Sequence, residues 1–229
     1  MKIETLQWDS EFFNKKIGML TLADTLNTAY SLEESFDMLY VQSDFDHTLE
    51  IKNFIPGFEE VKIVFHKKEF NPLKESNKNI YSSNEENVEL DLLYNLAYES
   101  GKFSRFNLDQ HFKKKDFERL YQIWITNSLN KKFATDLLVY KEEQTVQGFV
   151  TYKIHDNHAV IGLIAVSPEA QGKGIGGQLI DFVEDLLIRQ NVHELRIPTQ
   201  QINESACRFY SKKGYEIMQQ THIKHYYKK

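Results

Sequence analysis

The chain has 229 residues, of which 41% are hydrophobic, and a formal net charge of −5 at pH 7. This length allows one large domain or two small ones, and the hydrophobic content suffices for a sizeable core. The negative charge balance argues against a broad basic surface for nucleic acid.

Residues 1–75 predict a small α/β domain. Segments that alternate or run apolar, as strands do, lie at residues 2–8, 17–23, 37–43 and 59–68. Short helices are expected between them, at residues 31–36 and 46–54. The opening residues contain no apolar signal core, and no apolar run approaches the ~18 residues that span a bilayer. Because a single cysteine, Cys207, also suits a reducing compartment and excludes an intrachain disulfide, we expect a soluble cytoplasmic protein without a membrane partner.

A polar segment at residues 71–87 follows this first domain. It is rich in Ser and Asn and carries Pro72, so it predicts a linker or a long exposed loop. We therefore place an N-terminal α/β domain at residues 1–75, a linker at 76–90 and a second domain at 91–229.

The sequence of the second domain predicts both helices and strands. Two helices with apolar residues on one face are expected first, at residues 87–100 and 115–130, and Gly101 is a good stop for the first of them. Three strands follow, and their short connections predict antiparallel hairpins. These strands lie at residues 136–142, 147–155 and 158–167. The remaining elements are a helix from about 174 to 190, a strand at 194–200, a helix at 203–214 and a last strand or strand pair at 215–228.

A glycine-rich loop separates the third strand from its helix, with four glycines in residues 172–177. Such a segment usually presents backbone N–H groups to a phosphate. A dinucleotide site would need a parallel βαβ unit and an acidic residue after the next strand, but the preceding strand is antiparallel and the next one ends in Pro-Thr-Gln-Gln. A P-loop would need Ser or Thr after Lys173, where glycine stands. A plain glycine-rich turn is the remaining alternative, although four glycines cost more backbone entropy than a turn requires.

Residues 171–176, Gln-Gly-Lys-Gly-Ile-Gly, match the Q/R-x-x-G-x-G/A signature and resemble the GNAT (GCN5-related N-acetyltransferase) superfamily. The preceding strand, the following helix and residues 203–215, which begin Asn-Glu-Ser-Ala, share this resemblance, so that it covers residues 136–227. The resemblance implies a mixed, mostly antiparallel central sheet flanked by helices, preceded here by a smaller, incomplete GNAT-like domain. It also implies that the loop amides and the helix N-terminus bind the pyrophosphate of acetyl-CoA, the co-substrate. The cofactor-binding residues implied are Ile164, Ala165, Val166, Gln171, Gly172, Lys173, Gly174, Ile175, Gly176, Gly177, Asn203, Ala206 and Phe209.

The implied reaction is direct attack of an amine on a thioester. A backbone N–H of strand residues 164–166 is the expected donor to the oxyanion, and Tyr210 is the expected general acid for the leaving thiolate. Packing beside Phe209 is the alternative for Tyr210, and a helix N-cap is the alternative for Asn203. Cys207 is not expected to be the nucleophile, and no metal site is expected. The histidines at 155, 158, 193, 222 and 225 have no metal-ligand spacing and are expected at the surface, although any of them could be the base.

The N-terminal half points to the acceptor. Residues 6–20, which begin Leu-Gln-Trp-Asp-Ser, and residues 104–109 resemble the WecD-type dTDP-sugar acetyltransferases, which acetylate the 4-amino group of dTDP-4-amino-4,6-dideoxygalactose and serve polysaccharide biosynthesis. The alternative is a strand and packed turn with Trp8 and Phe12 in the core. Arg105 is the candidate ligand for an anionic nucleotide sugar, or else an exposed arginine.

Three functions stay open at this level: a nucleotide-sugar N-acetyltransferase, a GNAT enzyme for another small-molecule or protein N-terminal amine, and a non-catalytic acyl-CoA-binding module. The expected partner is a small molecule and not nucleic acid. A homodimer is compatible with the sequence, which leaves the acceptor, the base and the oligomeric state open.

Overall fold

The computed structural model describes residues 3–23, 35–73, 75, 77–83, 88–143 and 145–229. The N-terminal half contributes one helix and five strands. In chain order they are β1 (Glu4–Thr5), α1 (Gln7–Phe13), β2 (Ile17–Thr21), β3 (Met38–Ser43), β4 (Phe54–Lys67) and β5 (Ile80–Ser82).

The C-terminal half contributes five helices and five strands. Three helices come first: α2 (Leu90–Ser100), the single turn α3 (Arg105–Leu108) and α4 (Lys114–Leu129). The rest are β6 (Asp136–Glu142), β7 (Thr145–Ile154), β8 (Ala159–Val166), a 3-10 turn (Pro168–Ala170), α5 (Ile175–Arg189), β9 (Leu195–Gln200), α6 (Glu204–Lys212) and β10 (Glu216–Lys228). The helices predicted at 87–100, 115–130, 174–190 and 203–214 are therefore confirmed within a few residues, and so are the antiparallel hairpins β6–β7–β8.

One sheet contains all the described strands, in the order β1-β2-β3-β10-β4-β9-β8-β7-β6-β5. Its pairs are antiparallel except β2–β3 and β8–β9, which are parallel. The expected mixed, mostly antiparallel sheet flanked by helices is thus confirmed. No helix of the described residues is long and apolar enough to cross a membrane.

The last strand, β10, joins the two halves of the chain. It lies between β3 and β4 and pairs antiparallel with both, while β4 pairs with β9 on its other side. Backbone hydrogen bonds therefore cross the boundary expected at residues 76–90, and the two-domain division stays a prediction.

Helices cover both faces of the sheet because successive strand residues point to opposite sides. On β6, Leu138 and Tyr140 pack toward α5, whereas Leu137 and Val139 pack toward α2 and α4. The apolar stripe of α5 recurs every three to four residues, and each of its buried Leu or Ile side chains contributes roughly 1.5–3 kcal/mol by leaving water. This stripe consists of Ile175, Leu179, Ile180, Val183 and Leu187.

A buried ion pair fixes α5 to the sheet. The Glu184 carboxylate accepts hydrogen bonds from Lys67 Nζ at 2.9 and 3.0 Å and from the Tyr215 hydroxyl at 2.6 Å. Because both partners converge on one carboxylate, α5, the end of β4 and the residue that precedes β10 are held together.

Some N-terminal predictions were wrong. Residues 7–13 form the helix α1 and not the end of a strand, and Phe13 at the end of this helix packs against Phe106 and Phe112. Trp8 stacks on Phe12 at 4.9 Å but is 47% exposed, so it lies outside the core.

Two further N-terminal segments differ from expectation. Residues 46–54 are not helical, because the left-handed backbone at Asn53 (φ 67°) turns the chain directly into β4. The expected linker contains β5, whose Ile80 is buried against the core next to β6. The helix expected at 31–36 lies largely outside the described residues.

Candidate active site

The glycine-rich loop turns the chain from β8 into α5. Gly172 and Gly174 have φ values of 80° and 81°, a conformation that L-residues with side chains rarely adopt. Gly174 is the N-cap of α5, no side chain caps the helix, and its first turn contains no acidic residue. The first N–H groups of α5 have no partner within the helix, so this end of the helix attracts an anion.

A cavity of about 450 Å³ opens in front of this loop, and we call it the loop cavity. It contains every residue of the cofactor-binding prediction except Lys173, which is exposed beside it. Its other lining residues are Glu99, Ser100, Lys102, Ala170, Ser205 and Tyr210. The predicted set is therefore brought together in space by α2, β8, α5 and α6.

Strand β8 separates from its parallel neighbour β9 beside this cavity. The two strands pair only at Ala159–Leu195 and Val160–Arg196. A bulge follows, because Gly162 and Leu163 together oppose Thr151 of β7, and Thr151 Oγ1 accepts the Leu163 N–H at 2.8 Å. The end of β8 thus pairs with β7 on one side and, on its β9 side, faces a gap in which an extended ligand arm could lie.

Asn203 and Tyr210 of α6 face the same space. Asn203 is the N-cap of α6: its Oδ1 accepts hydrogen bonds from the Ala206 N–H at 3.3 Å and from Ser205 Oγ at 3.0 Å. The side-chain oxygen of Asn203 is therefore used as a helix cap, as the alternative interpretation expected, and the residue also lines the loop cavity.

The Tyr210 side chain is buried, with its ring 5.3 Å from Phe209 and 5.5 Å from Phe65. Its hydroxyl forms no hydrogen bond to any described residue, yet the side chain lines the loop cavity. Burial, and secondarily the nearby Cys207, raises the pKa of Tyr210 well above its ordinary value. The phenol therefore keeps its proton at neutral pH and can donate it.

A second cavity of about 470 Å³ lies between the sheet and helices α2–α4, and we call it the sheet cavity. Ser100, Ile164, Asn203 and Tyr210 line both cavities, so the two spaces meet at the end of β8 and the middle of α6. A donor in the loop cavity and an acceptor in the sheet cavity would therefore meet at Tyr210.

Charged side chains line the sheet cavity on β4 and α3. Glu60 and Lys62 project from β4, and the guanidinium of Arg105 lies 3.7 Å from Glu60 Oε1. Arg105 also lies over the rings of Tyr40 at 4.6 Å and Phe106 at 5.0 Å. The predicted substrate ligand is thus a largely buried arginine at the cavity wall and not an exposed one.

Sequence reasoning missed Glu60 and Lys62 of β4 and Glu99 and Lys102 of α2. One signal for the residues of β4 was available in the sequence: on the strand predicted at residues 59–68, strand alternation places Glu60 and Lys62 on the same face as Val64. The proximity of β4 to β8 was not readable, since it depends on the sheet order. At the rim of the loop cavity, the Gln171 side chain donates to the Val166 carbonyl at 3.2 Å and to Glu99 at 3.3 Å.

Neither a histidine nor Cys207 belongs to the described lining of the two cavities, although Cys207 lies near Tyr210. His225, expected at the surface, is completely buried, and its Nδ1 bonds to Asp109 Oδ2 at 2.5 Å. Cys207 is partly buried, and burial raises the pKa of its thiol, so it is a poor nucleophile at neutral pH.

Comparison with known proteins places these features in context. The model of the acetyltransferase (GNAT) family matches residues 93–215. The spore coat polysaccharide biosynthesis protein SpsD of Bacillus subtilis is 28% identical over 57% of this chain and 45% of its own length. Mycothiol acetyltransferase of Brachybacterium faecium is 30% identical over 52% of this chain and 33% of its own length. The chain thus spans less than half the length of these two curated relatives.

Solved structures share the fold at low identity. A crystal structure of a GNAT-family protein from Novosphingobium aromaticivorans aligns with a TM-score of 0.55 at 11% identity, covering 86% of this chain and 77% of that one. This alignment extends beyond residues 93–215, so that the N-terminal strands also have counterparts in that fold.

Proposed function

The chain belongs to the GNAT acetyltransferase family, and from this membership we propose that it transfers the acetyl group of acetyl-CoA to the amino group of a nucleotide-linked amino-deoxysugar, such as a dTDP-4-amino-4,6-dideoxyhexose. The observation that carries the proposal is the meeting of two cavities at Tyr210, one at the helix N-terminus and one large and polar enough for a sugar.

The loop cavity fits the donor. Gly172 has no atom within 4 Å of the position where a Cβ would stand, so the backbone there can approach a pyrophosphate closely. The first N–H groups of α5 would hold the pyrophosphate, and the edge of β8 that does not pair with β9 would hold the arm that follows it. Acetyl-CoA supplies the activated acetyl thioester, and the protein residues orient it and control protons around it.

Two groups serve the transfer itself. A backbone N–H at the end of β8, among residues 164–166, is proposed to stabilise the negative charge that develops on the thioester oxygen. Tyr210 is proposed to donate its proton to the leaving sulfur, because the residue lines both cavities and its hydroxyl is protonated and has no described partner. Both groups are positioned by regular secondary structure, which limits the reorganisation needed during the reaction.

The sheet cavity is proposed to hold the acceptor. Lys62 and Arg105 supply positive charge for a phosphorylated substrate, and polar residues such as Gln42 and Thr221 can bind hydroxyl groups. The relative from Bacillus subtilis is described as a spore coat polysaccharide biosynthesis protein, which supports a sugar acceptor. The short resemblance of residues 6–20 and 104–109 adds the dTDP-linked 4-amino-deoxysugar as the specific candidate.

A second candidate acceptor is another small-molecule amine. It is favoured by the similarity to mycothiol acetyltransferase of Brachybacterium faecium over 124 residues. A non-catalytic acyl-CoA-binding module would have no use for the second cavity, and this separates it from both enzymatic candidates.

The test is a mass-spectrometric acetylation screen. Purified protein and acetyl-CoA are incubated with dTDP-4-amino-4,6-dideoxyhexoses, free amino sugars, polyamines and peptides. We expect a gain of one acetyl group on a dTDP-amino sugar at the lowest substrate concentration. Acetylation of polyamines or peptides alone would contradict the nucleotide-sugar assignment.

A further inference from the structure

A buried carboxylate in the sheet cavity has an oxygen without a partner. The Glu60 side chain is 8% exposed, and its Oε2 forms no hydrogen bond in the described part of the chain. Its other oxygen lies 3.7 Å from Arg105 Nη1, which is longer than a hydrogen bond. A buried, half-satisfied carboxylate costs stability, so its retention at a cavity wall indicates a ligand that completes it.

The position of Glu60 is set by strand alternation. Glu60, Lys62 and Val64 line the sheet cavity and share one face of β4, as alternate residues of a strand do. Glu59 does not line the sheet cavity; it lines a separate surface pocket, which Glu60 also borders. The cavity that contains Glu60 also contains Ile164 and Tyr210, where it meets the loop cavity. Glu60 is thus the carboxylate of the acceptor space, and Tyr210 is the phenol at the junction with the donor space.

We propose that Glu60 accepts the proton that the acceptor amine loses during acetyl transfer. The inference rests on the proposed function, because it presumes an amine in the sheet cavity. The amine nitrogen forms a bond to the acetyl carbon, the carbon–sulfur bond breaks, the N–H proton passes to the Glu60 carboxylate, directly or through one water, and the Tyr210 proton passes to sulfur. Glu60 then releases its proton to solvent and Tyr210 regains one, so that the products are the amide and the free thiol.

The electrostatic surroundings of Glu60 suit a base. Burial raises the pKa of its carboxyl above the ordinary value, while the positive charges of Arg105 and Lys62 and a hydrogen bond from the Arg105 backbone N–H act in the opposite direction and favour the ionised form. Tyr40 on β3 and Tyr121 on α4 face the same cluster, and both phenols have raised pKa values and stay neutral. A carboxylate whose pKa lies nearer to neutrality than usual is a stronger acceptor for an amine proton.

The test compares Glu60→Gln with Glu59→Gln, using the amine that the wild-type protein acetylates fastest among dTDP-amino sugars, D-glucosamine, ethanolamine and spermidine. Glu59 is a matched control because its side chain is 75% exposed and does not line the sheet cavity. We expect Glu60→Gln to lower kcat roughly 10²–10⁴-fold and to leave the Kd for acetyl-CoA unchanged. Its remaining rate should rise with pH as the free amine deprotonates in solution. Glu59→Gln should match the wild type.

A second variant separates chemistry from folding. Glu60→Ala in the presence of formate should regain part of the lost rate, because formate can replace the missing carboxylate, and Glu60→Asp should retain more activity than Glu60→Gln. Wild-type kcat and an unchanged pH profile in Glu60→Gln would overturn the role of Glu60. If the fastest amine is not a dTDP-amino sugar, the proposed substrate fails while the result on Glu60 stands. Absence of turnover with all amines would overturn both.

Discussion

Replacement of Tyr210 by Phe separates a catalytic hydroxyl from a packing ring. The ring contacts with Phe65 and Phe209, at 5.5 and 5.3 Å between centroids, are kept by Phe. The hydroxyl forms no hydrogen bond to a described residue, so its loss forgoes none of the roughly 0.5–1.5 kcal/mol that such a bond contributes. The free energy of unfolding should therefore change by less than about 1 kcal/mol. The loss should instead be in kcat, roughly 10²–10⁴-fold, or about 3–5 kcal/mol of transition-state stabilisation.

The assay is thiol release from acetyl-CoA at saturating acceptor, with calorimetric acetyl-CoA binding and thermal unfolding measured on the same preparation. Tyr215→Phe is the matched control, because its hydroxyl donates to the buried Glu184 and lines neither cavity. That variant should lose roughly 1–3 kcal/mol of stability and keep its kcat. Full kcat in Tyr210→Phe would refute the acid role, and loss of folding together with activity would show that Tyr210 is chiefly a core residue.

Three further predictions follow from the same geometry. Gly174→Val forces a β-branched residue into a left-handed conformation and should weaken acetyl-CoA binding tenfold or more, which is about 1.4 kcal/mol. Gly214→Val is equally strained but lies outside both cavities, so it should leave the calorimetric affinity for acetyl-CoA unchanged. A Cβ at Gly101 would collide with the Tyr121 ring, so Gly101→Ala should lower the Tm and raise the KM for the acceptor more than the KM for acetyl-CoA. An equal fold-increase in the two KM values would contradict this. Burial lowers the pKa of His225 to about 4 from 6.5. As the pH falls, the histidine of the unfolded chain therefore binds its proton before that of the folded chain, and the free energy of unfolding should fall by about 3 kcal/mol between pH 6.5 and 4. Urea unfolding should show this decline, and His225→Gln should remove most of it.

The residues proposed to bind the donor could be predicted from the sequence as one group because their signals are local. The glycines at 172–177 need only their own φ values and the following helix, and Tyr210 needs only its spacing from Asn203 on α6. Each of these features is fixed within about a dozen residues, so periodicity and turn chemistry sufficed.

The sheet cavity, which is the proposed acceptor site, could not be predicted from the sequence because it depends on long-range strand pairing. Glu60 comes near Tyr210 only because β4 pairs with β9 on one side and with β10, the last strand of the chain, on the other. No local sequence pattern indicates that a C-terminal strand lies between β3 and β4. The same reason explains why the expected linker turned out to contain the strand β5, since Ile80 becomes buried only when β6 is beside it.

The central claim, that the N-terminus of α5 binds the donor, is tested most directly by a crystal structure of the protein with acetyl-CoA. The account predicts pyrophosphate oxygens within about 3 Å of backbone N–H groups of residues 172–177, the pantetheine arm along the edge of β8 that does not pair with β9, and the sulfur beside the Tyr210 hydroxyl. A pyrophosphate bound elsewhere, or a sulfur out of reach of Tyr210, would contradict it.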